Sequence, residues 1–154
     1  MPPMMRRRSV LLGIAASPAI PYPSLAQTSA PPSTLFTVAL AELTKGREMK
    51  SGRIRLETSP LAESGSSVEC KITVENALAT PDQVQTIHLL SEQNPIPTIA
   101  RFHIAPDTGD VVIETSIRLR TTQRVHAIAQ MADGALYADK SESVVLLAAC
   151  LDAG

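Results

Sequence analysis

The 154-residue chain has no tryptophan and only two phenylalanines and two tyrosines. A core without large aromatics has to be built from Val, Ile, Leu and Ala, and β-branched side chains of that kind pack well on pleated surfaces. Hydrophobic residues still make up 44% of the chain, enough for one domain of common size. Cysteine is equally scarce. Cys70 and Cys150 are the only two, too few for a scaffold stapled by disulfides. Apart from Arg6, Arg7 and Arg8 there is no basic cluster. Those three are the only charged residues before Gln27, so the rest of the chain carries 11 basic against 15 acidic residues, a formal charge of −4. That balance makes a poor nucleic-acid binder. No apolar run reaches the roughly 20 residues needed to span a bilayer, so a soluble protein is expected.

Catalytic signatures are missing as well. There is no Gly-x-Ser-x-Gly elbow, no His-Glu-x-x-His and no glycine loop for phosphate. His88, His103 and His126 fall on separate strands with no metal-ligand spacing between them, and they read as solvated strand histidines. A blue-copper centre would need His and Met soon after its Cys. Cys150 is followed only by Leu151, Asp152, Ala153 and Gly154. The glutamates and aspartates are scattered over strand faces and turns and read as solvated surface. No enzymatic chemistry, metal or cofactor is expected.

What is present begins with an export signal over residues 1–26. Arg6-Arg7-Arg8 precede the short apolar run Val10–Ala16, and Ser24-Leu25-Ala26 places small residues before a cleavage point at Gln27. The paired arginines suggest the twin-arginine route, with an ordinary secretory signal as the alternative. Either implies a periplasmic protein. Residues 27–33 form a Pro/Ser/Thr/Ala stretch, expected to be a flexible tail.

The domain proper is expected over 34–147. Phe36, Ala39, Leu40 and Leu43 recur at helical spacing after a capping Thr34, and Gly46 gives a stop, so Leu35–Lys45 reads as a short amphipathic helix. Arg47–Gly52 reads as a loop, after which the period changes to two. Ile54/Leu56 and then Val68/Cys70/Ile72/Val74 alternate with charged or polar residues, which turns Cys70 inward as a small buried hydrophobe. Further strands are expected over 84–91, 98–104, 111–119, 124–131, 136–138 and 144–147, with Asp133-Gly134 as the clearest hairpin turn. Short strands with turn signals about every ten residues imply an all-β, immunoglobulin-like antiparallel β-sandwich carrying a short N-terminal helix.

Residues 148–154 then form a C-terminal arm: Ala148, Ala149, Cys150, Leu151, Asp152, Ala153 and Gly154. A thiol on such an arm is accessible to other proteins' active sites, as a buried one is not. Two readings of Cys150 stay open on the residues alone. It is a covalent attachment point, or it forms a structural or intermolecular disulfide.

Four segments stand out in order: Ile54-Arg55-Leu56-Glu57-Thr58-Ser59-Pro60-Leu61-Ala62-Glu63-Ser64-Gly65, Ile87-His88-Leu89, Asn94-Pro95-Ile96-Pro97 and Ile99-Ala100-Arg101-Phe102. Thr115-Ser116-Ile117-Arg118-Leu119, Val125–Gln130, Asp133-Gly134 and Ala148-Ala149-Cys150 complete the series. Together they resemble the SoxY family, the sulfur-carrying subunit of bacterial thiosulfate-oxidising systems. The resemblance implies a carrier rather than an enzyme, with thiosulfate-derived groups held covalently on Cys150. It further implies pairing with a SoxZ-like subunit in a heterodimer or heterotetramer. Transient contacts with a SoxAX-type c-type cytochrome, a manganese-dependent SoxB-type hydrolase and a SoxCD-type sulfur dehydrogenase would follow. The tail departs from the family's usual Gly-Gly-Cys-Gly-Gly. Alanines and a leucine stiffen and thicken the arm, and Asp152 adds negative charge that disfavours a thiolate and repels anionic sulfur species. A non-carrier periplasmic interaction module or accessory protein, with Cys150 in a disulfide, is the alternative.

Overall fold

The computed structural model describes residues 29–76 and 82–149. The export signal over 1–26, the turn residues Thr80-Pro81 and the arm from Cys150 to Gly154 lie outside them. Among the described residues one helix, α1 (Thr34–Thr44), is followed by nine strands: β1 (Met49–Lys50), β2 (Ile54–Thr58), β3 (Leu61–Ser64), β4 (Val68–Val74), β5 (Val84–Ser91), β6 (Thr98–His103), β7 (Val111–Ile117), β8 (Gln123–Met131) and β9 (Leu136–Leu147). They form a six-stranded sheet in the order β1-β9-β8-β5-β6, with β3 also on β9, and a three-stranded sheet β2-β4-β7.

The small sheet shows the alternation that a strand with one wet face requires. In β4, Val68, Cys70, Ile72 and Val74 are buried while Glu69 and Lys71 are exposed. Its apolar face meets Val84, Ile87, Leu89, Val125, Ala127, Ala129 and Met131 of the large sheet to form the main core. The sandwich is closed at one side without a continuous backbone ladder. Asp139 and Ser141 on β9 accept the N–H groups of Leu56 and Thr58 on β2 at 2.8 and 3.3 Å. These polar residues are the middle of one unbroken strand. The sequence suggested two strands separated by a break, because a run of Asp, Lys, Ser and Glu has no apolar period to follow.

The outer face of the large sheet is dry where α1 lies on it. Phe36, Leu90, Ile128 and Leu136 form a second cluster, joined by Ala39, Leu40 and Leu43. Burying Phe36 to 3% exposure stabilises the docked helix by about 2–3 kcal/mol. The N-cap is Ser33 rather than Thr34: its Oγ accepts the N–H of Phe36 at 3.2 Å, satisfying a donor that the first turn leaves free. Lys45 adopts the left-handed conformation that ends the helix. Residues 29–33 run beside the β5–β6 connection, where Ser33 N–H donates to the Glu92 carbonyl and Gln93 Nε2 to that of Pro31.

The helix overturns the expectation of solvated histidines and glutamates at three positions. His88 is 6% exposed, and His126 lies under Phe36, ring centroids 4.8 Å apart. Glu92 is 2% exposed, its carboxylate bridging Arg124 Nε at 3.2 Å and His126 Nε2 at 2.8 Å. His103 is exposed, as expected. Two short pairings, β1 and β3 against β9, are parallel, an addition to an otherwise antiparallel sandwich.

Candidate functional site

The C-terminal end of β9 pairs with β3 on one side, Leu61–Ser64 against Val144–Leu147, and meets a loop instead of a strand on the other. Val144 N–H donates to the Pro60 carbonyl at 3.0 Å, Val145 N–H to Thr122 Oγ1 at 3.0 Å, and Ser143 Oγ to the Ser59 carbonyl at 2.7 Å. The last residue of the strand, Leu147, accepts the N–H of Gly65 at 2.8 Å, and the Gly65 carbonyl accepts the N–H of Leu119 at the same distance. Gly65 is a point of close approach. A Cβ there would stand 2.0 Å from the Leu119 carbonyl oxygen, 3.0 Å from Val145 Cγ1 and 3.1 Å from the Ala149 nitrogen. Only glycine admits that convergence.

The chain leaves this clamp through Ala148, which is exposed, and Ala149, which is buried. Of the sequence-selected arm residues these two are described; Cys150, Leu151, Asp152, Ala153 and Gly154 lie outside. The residue before Cys150 is therefore seated against Gly65. Around this base Leu61, Leu146 and Leu147 are exposed by 58, 62 and 68%. Arg118 and Arg120, both exposed, flank Leu119 in the chain. Gly65 was legible only as part of a turn, since its contacts join three segments far apart in sequence.

The second cysteine has a different environment. Cys70 lies in the middle of β4, opposite Thr58 on β2 and Thr115 on β7, with its side chain in the main core. It is 3% exposed and free of any disulfide, and burial pushes its thiol up to about 11. A neutral, enclosed thiol is a packing group. Among the described residues no three of His, Cys, Asp and Glu gather as a metal site, and no helix is long and apolar enough to cross a membrane.

The family model described as "Sulfur oxidation protein SoxY" matches residues 40–150, so that the matched region ends on Cys150. The chain belongs to the SoxY family. Among solved structures it is similar to the sulfur carrier protein SoxY from Chlorobium limicola f thiosulfatophilum, with 20% identity and a TM-score of 0.55 over 70% of this chain and 89% of that one. It is also similar to a superoxide reductase (neelaredoxin) from Ignicoccus hospitalis, with 15% identity and a TM-score of 0.52 over 61% of this chain and 80% of that one. A putative superoxide reductase from Thermotoga maritima gives 13% identity and a TM-score of 0.52 over 64 and 88%. At these identities the structural likenesses establish a shared sandwich fold and nothing finer. No curated protein matches the chain.

Proposed function

We propose that this SoxY-family protein is a sulfur carrier of the periplasm that bears thiosulfate-derived groups covalently on Cys150. The observation that carries the reading is the division of labour between its two thiols. Cys70 is sealed in the core, whereas Cys150 follows directly on a backbone clamp that fixes where the arm leaves the sandwich. A carrier needs a reactive group on a short tether with a defined root, so that successive enzymes meet it in the same place.

In the loading step the Cys150 thiol loses its proton and its sulfur bonds to the sulfane sulfur of thiosulfate. The product is Cys–S–S–SO3−, and two electrons leave to the SoxAX-type c-type cytochrome. A SoxB-type hydrolase and a SoxCD-type dehydrogenase would then act on the loaded arm, and a SoxZ-like subunit would be the standing partner. The exposed Leu61, Leu146 and Leu147 beside the arm give such partners an apolar surface to recognise. Arg118 and Arg120 bring positive charge close to the root, which offsets Asp152 when the cargo is an anion.

Intact-mass analysis of the protein, purified without reductant from thiosulfate-grown cells, tests the proposal. Adducts on Cys150 of one or more sulfur atoms or of a thiosulfonate, removed by reductant, are expected. A mass two hydrogens light, with Cys70 and Cys150 in one linked peptide, would make Cys150 structural and end the carrier reading.

A further inference from the structure

The base of the arm rests on a buried amide as well as on the Gly65 clamp. β7 ends at Ile117, whose ladder partner is Val68. Arg118, Leu119 and Arg120 run on beyond that last pair, yet it is the Leu119 N–H that holds the Gly65 carbonyl at 2.8 Å. Asn94 supports this segment. Its Nδ2 donates to the Arg118 carbonyl at 2.9 Å, and its Oδ1 accepts the Arg120 N–H at 3.0 Å. A residue on a parallel neighbouring strand would bond the same two groups, the carbonyl before and the N–H after the residue it faces. The Asn94 side chain stands in for that peptide unit.

The β5–β6 connection keeps Asn94 in place. It contains Pro95 and Pro97, which fix φ and carry no N–H. Ser91 N–H closes it on the Pro97 carbonyl at 2.8 Å. Gln123, fully buried at the start of β8, braces it from beneath. Its Oε1 accepts the Gln93 N–H at 2.7 Å, and its Nε2 donates to Asn94 Oδ1 at 2.9 Å. Asn94 is itself 6% exposed. A buried polar network whose members find their partners is rigid and specifies one arrangement. This one ends at the base of the arm. Asn94 holds both neighbours of Leu119, Leu119 holds Gly65, and Gly65 holds Leu147 while leaving room for Ala149.

We infer that Asn94 is a positioning residue for the loading of Cys150. Acting through Leu119 and Gly65, it fixes the origin of the arm, so that a partner enzyme meets the thiol in one place. The inference rests on the carrier reading and adds to it a residue far from Cys150 in sequence. Without the Asn94 amide, the Arg118 carbonyl, the Arg120 N–H and Gln123 Nε2 each lose a partner, and the segment they belong to loosens.

Two measurements on the full-length Asn94→Ala protein test this. Hydrogen exchange followed by NMR reads the support directly and needs no cargo. The Leu119 and Gly65 amides should lose about tenfold more protection than that of Ile72 in the middle of β4. Loading is then measured with thiosulfate and the SoxAX-type cytochrome, beside alkylation of Cys150 by iodoacetamide, which needs no partner. Loading should fall about tenfold in kcat/KM, while alkylation keeps the parent's rate. Val84→Ala, which empties part of the core at the opposite end of β5, is the control for stability alone and should load as the parent does. Asn94→Asp, which loses only the bond to the Arg118 carbonyl, should show both effects to a smaller degree and serves if the alanine variant does not fold. Undiminished loading in the folded variant, equal slowing of alkylation or of Val84→Ala, or unchanged protection at Leu119 and Gly65 would overturn the inference. A parent that takes up no thiosulfate would end the carrier reading instead. Exchange at Leu119 and Gly65 would then decide alone whether Asn94 holds the origin of the arm.

Discussion

Gly65 and Leu147 are joined by a 2.8 Å backbone hydrogen bond at the point where the last strand gives way to the cysteine-bearing arm. The same glycine is bonded through its carbonyl to Leu119 and leaves no room for a side chain. Three segments therefore converge on one residue, and the direction in which the arm departs is set by their backbones.

Gly65→Ala should break this junction. A methyl group 2.0 Å from the Leu119 carbonyl oxygen cannot be relieved by rotating a side chain. The β3–β4 turn has to move away from β9 instead, at a cost of about 2–3 kcal/mol. Urea unfolding measures the loss. In the carrier reading Cys150 conjugation also slows, since the tether root shifts. A variant as stable as the parent would show that the approach is not tight in solution.

How much of this was legible in the sequence depends on where each residue finds its partners. The small sheet was readable because β4 has one wet face and one dry one, so Cys70 could be turned inward from alternation alone. β5 was not. Its outer face is dry because α1 lies on it, and nothing local distinguishes a position under a helix from one under water. His88 and Glu92 were read as solvated for that reason. The arm cysteine stood out by its position after the last apolar strand, but its clamp did not. Gly65, Leu119 and Ala149 are brought together only by the fold.

Cys70 should behave as a protected thiol. With burial holding it at about 11 against an ordinary 9.0, its thiolate fraction at pH 8 falls about 100-fold, and nucleophilic reactivity falls with it. In a Cys150→Ser background, iodoacetamide should label the native protein at least that much more slowly than the urea-unfolded chain. The folded value lies above the unfolded one, so its contribution to stability is complete below pH 9.0 and is lost as pH rises towards 11. The loss is about 2–3 kcal/mol. A Cys70→Ala variant should lack that alkaline decline. Rapid native labelling would instead mean that the core opens at β4.

His126 provides the corresponding prediction on the acid side. Burial under Phe36 lowers its pKa, and the Lys140 and Arg124 charges act in the same direction, while the Glu92 carboxylate at 2.8 Å opposes them. His88 is lowered as well, by burial and Arg101. Because the folded values lie below 6.5, the unfolded chain takes up protons first as pH falls. Stability is then held above about pH 6.5 and declines below it. The midpoint of thermal unfolding should be lower at pH 5 than at pH 7.5, and the acid loss should shrink in His126→Gln. Glu92→Gln separates the two influences on the ring. It removes the only interaction that raises the His126 pKa, so the ring should titrate still lower. It also replaces a buried charge that serves Arg124 and His126, at a cost of about 1–3 kcal/mol. Proton NMR titration of the imidazole decides the matter. A His126 that titrates at or above 6.5 in the parent, or higher in Glu92→Gln, would mean that solvent reaches the ring and that α1 is not closed over the sheet.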